Sequence, residues 1–355
     1  MIIFDYTINN QSNNLKMKAF KYILFLILIL IIGLAIYIAV QPNSFEVKRS
    51  RTIKAPVAVV YENIIDFKNW EAWSSWVEEK PEIIITLADQ TNGIGGSYSW
   101  KDEDGVGTMK TIDTKPMTSI SQEMQFGDFP KSDITWNLKP NSDGSTEVTW
   151  NISGNDLPFG FKMFSTLMGG MEKQIGPHFE RGLEKLDSIL IADMKKYSVN
   201  IEGTTQHSGG FYLYNTTSCK MSDFKEKMQE MLPKVGAYAM VNNITMAGKP
   251  FVIYHKWDPD NDAVMFSCCI PTTSKIVATE ADIITGQLEP FRTVKTVLKG
   301  DYDNLQEAWE KTMTYIKTNN LEQSVTGPMI ESYLTDPNSH PNPADWITEI
   351  FIAVN

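Results

Sequence analysis

Cysteine is scarce in this 355-residue chain, limited to Cys219, Cys268 and Cys269. An odd number that includes an adjacent pair does not build a disulfide framework. The four histidines, His178, His207, His255 and His340, are scattered without HxH or HExxH spacing. The sequence therefore carries no metal signature, and neither a metal nor another cofactor is expected. Positive charge is also in deficit: 32 Lys and Arg stand against 43 Asp and Glu, a formal net charge of -11. That balance argues against a phosphate-binding surface, and so against nucleic acid as a partner. No Ser/His/Asp or Cys/His arrangement is legible, and Cys268-Cys269, near the end of a strand-like run, reads as core packing rather than as a nucleophile.

What is present begins with one long apolar run. Tyr22 to Val40 is uncharged and dominated by Leu and Ile. At 1.5 Å per residue it spans about 28 Å, close to a bilayer core. Lys16, Lys18 and Lys21 precede it, so the positive-inside rule places residues 1–21 in the cytoplasm and the bulk of the chain outside the cell (inner) membrane. Lys48, Arg49, Arg51 and Lys54 soon after the run weaken that asymmetry. A cleaved signal peptide is disfavoured because Tyr37 stands where a small residue is wanted before Ala39. Residues 22–40 are read as a single transmembrane helix. Residues 1–16, polar and Asn-rich, read as disordered or as lying outside the native product.

Length predicts two or three domains, and a hydrophobic content of 42% is ample for packed cores. From Phe45 the pattern is a strand to Ile53 and a short helix opened by Ala55-Pro56, with proline in the first turn where its missing N–H costs nothing. A tryptophan cluster, Trp70, Trp73 and Trp76, follows. Strand-length runs come next, near 83–87, 96–100, 106–113, 119–126, 134–138 and 147–153, with Asn141-Ser142-Asp143-Gly144 as a hairpin turn between the last two. A long helix over 171–196 places Ile175, Phe179, Leu183, Leu186 and Leu190 on one stripe, and Pro177 is expected to kink it or delay its start. This order, with Thr52-Ile53-Lys54-Ala55-Pro56 and Asn69-Trp70-x-x-Trp73, resembles the START-like or polyketide cyclase (SRPBCC) superfamily over residues 45–197. The resemblance implies a helix-grip fold whose sheet wraps the long helix around a hydrophobic cavity, hence a small hydrophobic ligand. It carries over no catalytic residue.

Residues 198–209, polar with Thr204-Thr205 and Gly209-Gly210, read as a linker. Beyond it the chain repeats itself. Lys249-Pro250 to Asp258-Pro259 has the layout of Gly327-Pro328 to Asp336-Pro337, displaced by 78 residues, and Asp223-Phe224 is matched by Asp301-Tyr302. Two stacked units with a seam between them follow from such a repeat. Copy one reads as strand 210–215, helix 222–235, strand 237–241, strand 251–256 and a further strand 263–270. Copy two reads as strand 292–298, helix 303–318, strand 329–334 and strand 346–354. Asp223 with Glu226, and Asp303 with Gln306, have capping-box spacing, and Tyr302, Leu305, Trp309, Met313 and Ile316 form the inward stripe of the second helix.

Alternation places Met329, Glu331 and Tyr333 on one strand face. The 78-residue offset pairs Glu331 with Ile253, an apolar residue that suits a buried face. A carboxylate there is costly unless paired or protonated. With Ile253-Tyr254-His255-Lys256-Trp257-Asp258, Leu298-Lys299-Gly300-Asp301-Tyr302 and Trp346-Ile347-Thr348-Glu349-Ile350, this half (residues 210–355) resembles the gyrase-inhibitor-like bacterial effector-binding domain. The overall fold class is then α+β: a helix-grip domain plus a duplicated βαββ domain, after one transmembrane helix. The resemblance implies a cleft for small, often cationic aromatic molecules, with Glu331 facing it among Tyr302, Tyr333 and Trp309. Glu349 is a second candidate carboxylate or a strand-edge charge. In that family such a domain can follow a helix-turn-helix region. Here an anchor and a START-like domain precede it, so gene regulation is not implied. Three readings stay open: a membrane-anchored small-molecule binder, a small-molecule hydrolase with Glu331 as general acid or base and Tyr333 assisting, and a non-catalytic interaction module. Oligomeric state is not legible.

Overall fold

Helix α1, Ile2–Ala39, has no proline, and its second half is the apolar run; the computed structural model describes residues 2–355, with side chains from Met17 on. Met17–Ala39 is long and apolar enough to cross a membrane, with a mean hydropathy of 3.0 and little of it buried. The backbone of residues 2–16 continues the same helix, where disorder was the expectation. The chain divides into two units, Met1–Leu190 and Ile191–Asn355.

In the first unit β1 (Phe45–Ile53) leads to α2 (Val57–Ile65), then to the short helices α3 (Trp70–Trp73) and α4 (Ser75–Glu79). Strands β2 (Ile84–Leu87), β3 (Ser97–Lys101), β4 (Val106–Lys115), β5 (Ser119–Phe126), β6 (Ser132–Pro140) and β7 (Thr146–Gly154) follow, then α5 (Phe159–Leu167) and α6 (Met171–Met194). The strands form one antiparallel sheet in the order β1-β7-β6-β5-β4-β3-β2. Alternation sets its inner face, as in β7, where Thr146, Val148, Trp150 and Ile152 are buried. The stripe Ile175, Phe179, Leu183, Leu186 and Leu190 of α6 is buried, and Pro177 lies within the helix without delaying its start.

Aromatic rings occupy the space between sheet and helices. Trp150 stacks on Phe179 at 3.8 Å and on Trp136 at 4.3 Å, and Trp70 and Trp73 pack edge-on against both tryptophans. A cavity of about 430 Å³ opens elsewhere, over β2–β5, lined by apolar side chains such as Leu87 and Met109 together with polar ones such as Lys110 and Glu123.

The second unit corrects the linker reading, because residues 198–207 form a strand, β8 (Ser198–His207), paired along its length with β13. Then come β9 (Gly210–Cys219), α7 (Phe224–Val241), β10 (Phe251–Asp258), β11 (Ala263–Thr272), β12 (Ile284–Leu288), β13 (Phe291–Lys299), α8 (Leu305–Thr318), β14 (Met329–Tyr333) and β15 (Ile347–Ala353). Residues 237–241, expected as a strand, are the last turn of α7. Met231, Val235, Tyr238 and Ala239 are buried at helical spacing, with Val235, Tyr238 and Ala239 against Leu213 and Ile270. The helix starts differ too. A 3-10 turn precedes each helix, neither Asp223 nor Asn304 caps with its side chain, and Asp301 instead accepts from the Asp303 N–H at 2.9 Å. On α8 Ala308, Thr312 and Ile316 are buried while Met313 is exposed.

The eight strands run β12-β9-β11-β10-β14-β15-β13-β8. In a flat sheet, six spacings of about 4.8 Å would put β8 some 29 Å from β9. Only Ser208 and Gly209 join them, and three Cα steps reach about 11 Å at most. The sheet is therefore curled, which brings the end of β8 back to the start of β9. Gly209, with φ of 70°, makes the turn where a Cβ would sit 2.2 Å from the Leu288 carbonyl oxygen. The concave face is closed by its own side chains, Phe251, Ile253, Cys269, Ile330 and Phe351. The convex face carries α7 over β9 and β11 and α8 over β13 and β15, so β10 and β14 form the seam between the repeats.

Trp150→Ala removes the ring common to both stacks, and should destabilise the first unit by about 3–5 kcal/mol. Denaturant unfolding monitored by tryptophan fluorescence checks this, and a loss below about 1 kcal/mol would contradict the packing assigned to Trp150.

Candidate functional site

Glu331 lies at the centre of β14 and is 2% exposed. Its strand pairs with β10 through Val252 and with β15 through Ile350, which fixes its side chain on the convex face beneath both helices. Three neutral groups bind the carboxylate. The Tyr333 hydroxyl donates to Oε2 at 2.7 Å, the Tyr254 hydroxyl to the same oxygen at 3.0 Å, and the Trp309 indole N–H to Oε1. Among the described residues no Lys, Arg or His pairs with it. Around these donors stand Met228, whose sulfur is 3.3 Å from the Tyr333 oxygen, and Met231, Met329 and Phe224. Tyr254 meets Trp309 edge-on at 5.6 Å and Phe224 at 5.7 Å, with Trp257 at the exposed rim, 5.8 Å from Tyr254.

Burial pushes the Glu331 carboxyl above its ordinary range, and the three donors, which favour the charged form, oppose that shift. Tyr254 and Tyr333 are raised well above 10 by the same burial and by the neighbouring carboxylate, so both remain protonated donors. Tyr302, pushed up to about 12 chiefly by burial, meets Tyr333 edge-on at 5.5 Å and Trp346 at 4.7 Å, without a bond to Glu331. The arrangement can stabilise a positive charge on an aromatic-sided molecule, or hold a proton on a carboxyl in a dry site.

Of the residues read from the sequence, Glu331, Tyr333 and Trp309 come together, and Tyr302 adjoins them. Glu349 does not join them. It pairs in register with Ser332, one residue from Glu331, so alternation sends it to the concave face, where its carboxylate binds Lys295 at 2.8 Å. The equivalence of Ile253 with Glu331 also fails. Ile253 faces the concave side opposite Ile330, and Val252 stands beside Glu331. A one-residue slip reverses every side chain on a strand, so the 78-residue offset holds for the motif and not for the faces.

Tyr254 was not among the sequence candidates, though it supplies a third of the carboxylate's bonds. Simple alternation sets Tyr254 and Trp257 on opposite faces; a bulge between Tyr254 and Lys256 brings both to the convex side. Its one sequence signal was position, in the β10 copy of the strand that carries Glu331. His255, at the bulge, has Nε2 2.7 Å from Ser267 Oγ, which in turn is 2.6 Å from Thr216. Ser267 is 1% exposed, and among the described residues no carboxylate bonds the imidazole, so the pair is a buried hydrogen-bond chain rather than an activated nucleophile.

Comparison with known proteins assigns both halves. Residues 44–190 match the family described as polyketide cyclase / dehydrase and lipid transport, and residues 211–355 match the GyrI-like small molecule binding domain. No curated protein matches the chain. Among solved structures, the C-terminal domain of EcmrR is similar at 20% identity over 45% of this chain and 98% of that one, with a TM-score of 0.38. A Chromobacterium violaceum protein is similar at 15% identity over 42% of this chain and 97% of its own, TM-score 0.31. The Aha1 protein of Colwellia psychrerythraea is similar at 14% identity over 41% and 94%, TM-score 0.30. The chain thus joins a polyketide cyclase / dehydrase and lipid transport family domain at 44–190 to a GyrI-like small molecule binding domain at 211–355, behind one N-terminal helix apolar enough to anchor it.

Proposed function

We propose that the protein is a membrane-anchored small-molecule binder whose second domain takes organic cations with an aromatic body at Glu331. One observation carries this reading: a buried carboxylate held by three neutral donors, with no cationic side chain on it among the described residues, inside a ring of aromatic and methionine side chains. A buried carboxylate without a counter-charge is costly, and a cationic ligand supplies the missing charge. Tyr254, Trp309, Tyr302 and Phe224 offer ring faces, each worth roughly 0.5 to 2 kcal/mol to a cation. Tyr333, two residues from Glu331, keeps the carboxylate oriented between ligands.

The first domain suits a lipophilic ligand with acceptor oxygens. Its core is aromatic, yet the indole N–H groups of Trp73 and Trp150 and the amide nitrogen of Gln122 are buried without partners. Such groups favour a bound acceptor. Admitting a ligand there requires the packed rings to move apart. The anchor reading places residues 1–21 in the cytoplasm, by the lysines before the span.

Hydrolysis is the second reading, favoured by the 2.7 Å contact of Tyr333 with a carboxyl whose affinity for protons is raised. It requires turnover of a bound compound that Glu331→Gln abolishes while affinity for the substrate remains.

Three measurements test these proposals. In a thermal-shift and calorimetric comparison, Glu331→Gln should weaken cationic aromatic ligands about 30-fold or more and their neutral isosteres little, consistent with loss of a buried charge partner. Equal losses for both would remove the charge-pairing argument. Cation affinity should also fall as pH drops through the Glu331 pKa, which lies above 4.5, approaching about tenfold per pH unit. The sign follows because the ligand needs the ionised carboxylate, and a pH-independent affinity across that window would contradict it. A phosphatase fused after Asn355 should be active outside the cytoplasm; activity confined to the cytoplasm would reverse the orientation.

A further inference from the structure

Helix α5 is an amphipathic helix turned inside out. On its outer side Phe159, Met163, Phe164, Leu167 and Met168 are 40–64% exposed. Gly160 is the remaining outer residue of the helix, so no polar side chain interrupts the apolar face. On its inner side sits the lysine. Lys162 is 9% exposed, and its Nζ donates to the carbonyl oxygens of Gln41 at 2.9 Å and Ala39 at 3.3 Å. Those are carbonyls at the end of α1, which have no partners within the helix. A positive charge at a helix C-terminus is favoured as well by the helix dipole. Phe161, also inward, stacks on Phe45 at 5.8 Å and meets Phe129 edge-on at 5.2 Å. Ile38, in the last turn of α1, is 2% exposed, whereas the rest of the apolar span lies open.

From this we infer that α5 lies in the lipid interface, an in-plane second anchor clamped by Lys162 to the point where α1 leaves the bilayer. The inference rests on the reading of α1 as a membrane span. The occupant of the apolar face is committed by continuity. Ala39 ends the apolar segment, Lys162 fixes α5 at that level, and α5 therefore packs at the end of a span that is uncharged and apolar from Tyr22 on. A helix with large apolar side chains on one side and its polar groups on the other settles at the boundary of headgroups and acyl chains. A soluble domain exposing this many adjacent large apolar side chains on nine residues would otherwise associate non-specifically. The consequence for the 44–190 domain is orientation: two attachments, one through the bilayer and one along it, hold the domain in one fixed pose against the lipid surface.

The test uses the full chain reconstituted in phosphatidylcholine–phosphatidylglycerol vesicles, in a Cys219→Ser background with Cys268 and Cys269 left buried. Spin labels are attached to single cysteines at Met163→Cys and Leu167→Cys, with Leu28→Cys in the span and Val106→Cys, exposed elsewhere, as references. Collision rates with oxygen, which concentrates in lipid, and with a water-soluble nickel chelate are measured by electron paramagnetic resonance. The expected result is that labels 163 and 167 favour oxygen over nickel, as label 28 does but at shallower depth, while label 106 favours nickel. If labels 163 and 167 behave like label 106 while label 28 remains in lipid, the interfacial helix is overturned and the span stands. If both are shielded from oxygen and nickel alike, a protein contact covers the face and the proposal also fails. If label 28 itself is water-accessible, the span reading fails and takes this inference with it.

Discussion

The ionisable group on which the second domain turns is a carboxylate kept out of water without a counter-charge. Glu331 is held by Tyr333, Tyr254 and Trp309, one donor from its own strand, one from the equivalent strand of the other repeat, and one from α8. Each donor lowers the cost of the charged form without cancelling it. The repeat makes this possible: curling the sheet until the end of β8 returns to the start of β9 fixes β10 and β14 as its middle, and the two helices then lie on either side of that seam. A site at the junction of two copies draws its ring from both, which is why Phe224 and Met228 of α7 face Trp309 of α8 across one carboxylate.

The first domain solves a different packing problem. Six of the nine tryptophans fall in residues 70–150. Rings of this size fill a helix-grip core with few side chains, and their stacked and edge-on contacts add to the area they bury. The cost is polar: indole N–H groups enclosed by other rings find few acceptors, as at Trp73 and Trp150. Two units with opposite strategies, one burying a charge and the other burying unpaired donors, are each left with a chemical demand that a small molecule can meet.

Much of this was legible from residues alone. The alternation in β1 and β4–β7 and the stripe of α6 report burial directly, since one face of each element sees a single environment, and the apolar run of α1 is legible from its length and composition. What stayed hidden depended on neighbours. Strand β8 is polar because it is an edge strand with mostly exposed side chains, and Gly203 sits where its register with β13 shifts, so its composition imitates a linker. Residues 237–241, where only Tyr238 and Val241 favour a strand, are helical because Tyr238 and Ala239 fit the spacing set by Met231 and Val235. Glu331, Tyr333 and Trp309 were readable from repeat and motif, whereas Tyr254 depends on a bulge, and Glu349 on a register that places it one residue, and therefore one face, away from the site.

The central claim is that Glu331 is a buried carboxylate awaiting a cation. It is tested most directly by following the carboxyl ¹³C resonance of Glu331 through a pH titration, free and with a cationic aromatic ligand found by thermal-shift screening. The account requires a pKa above the ordinary 4.5 in the free protein and a lower one in the complex, because desolvation dominates the first and charge pairing the second. A free-state pKa at or below 4.5, or one that a bound cation leaves unchanged, would contradict it.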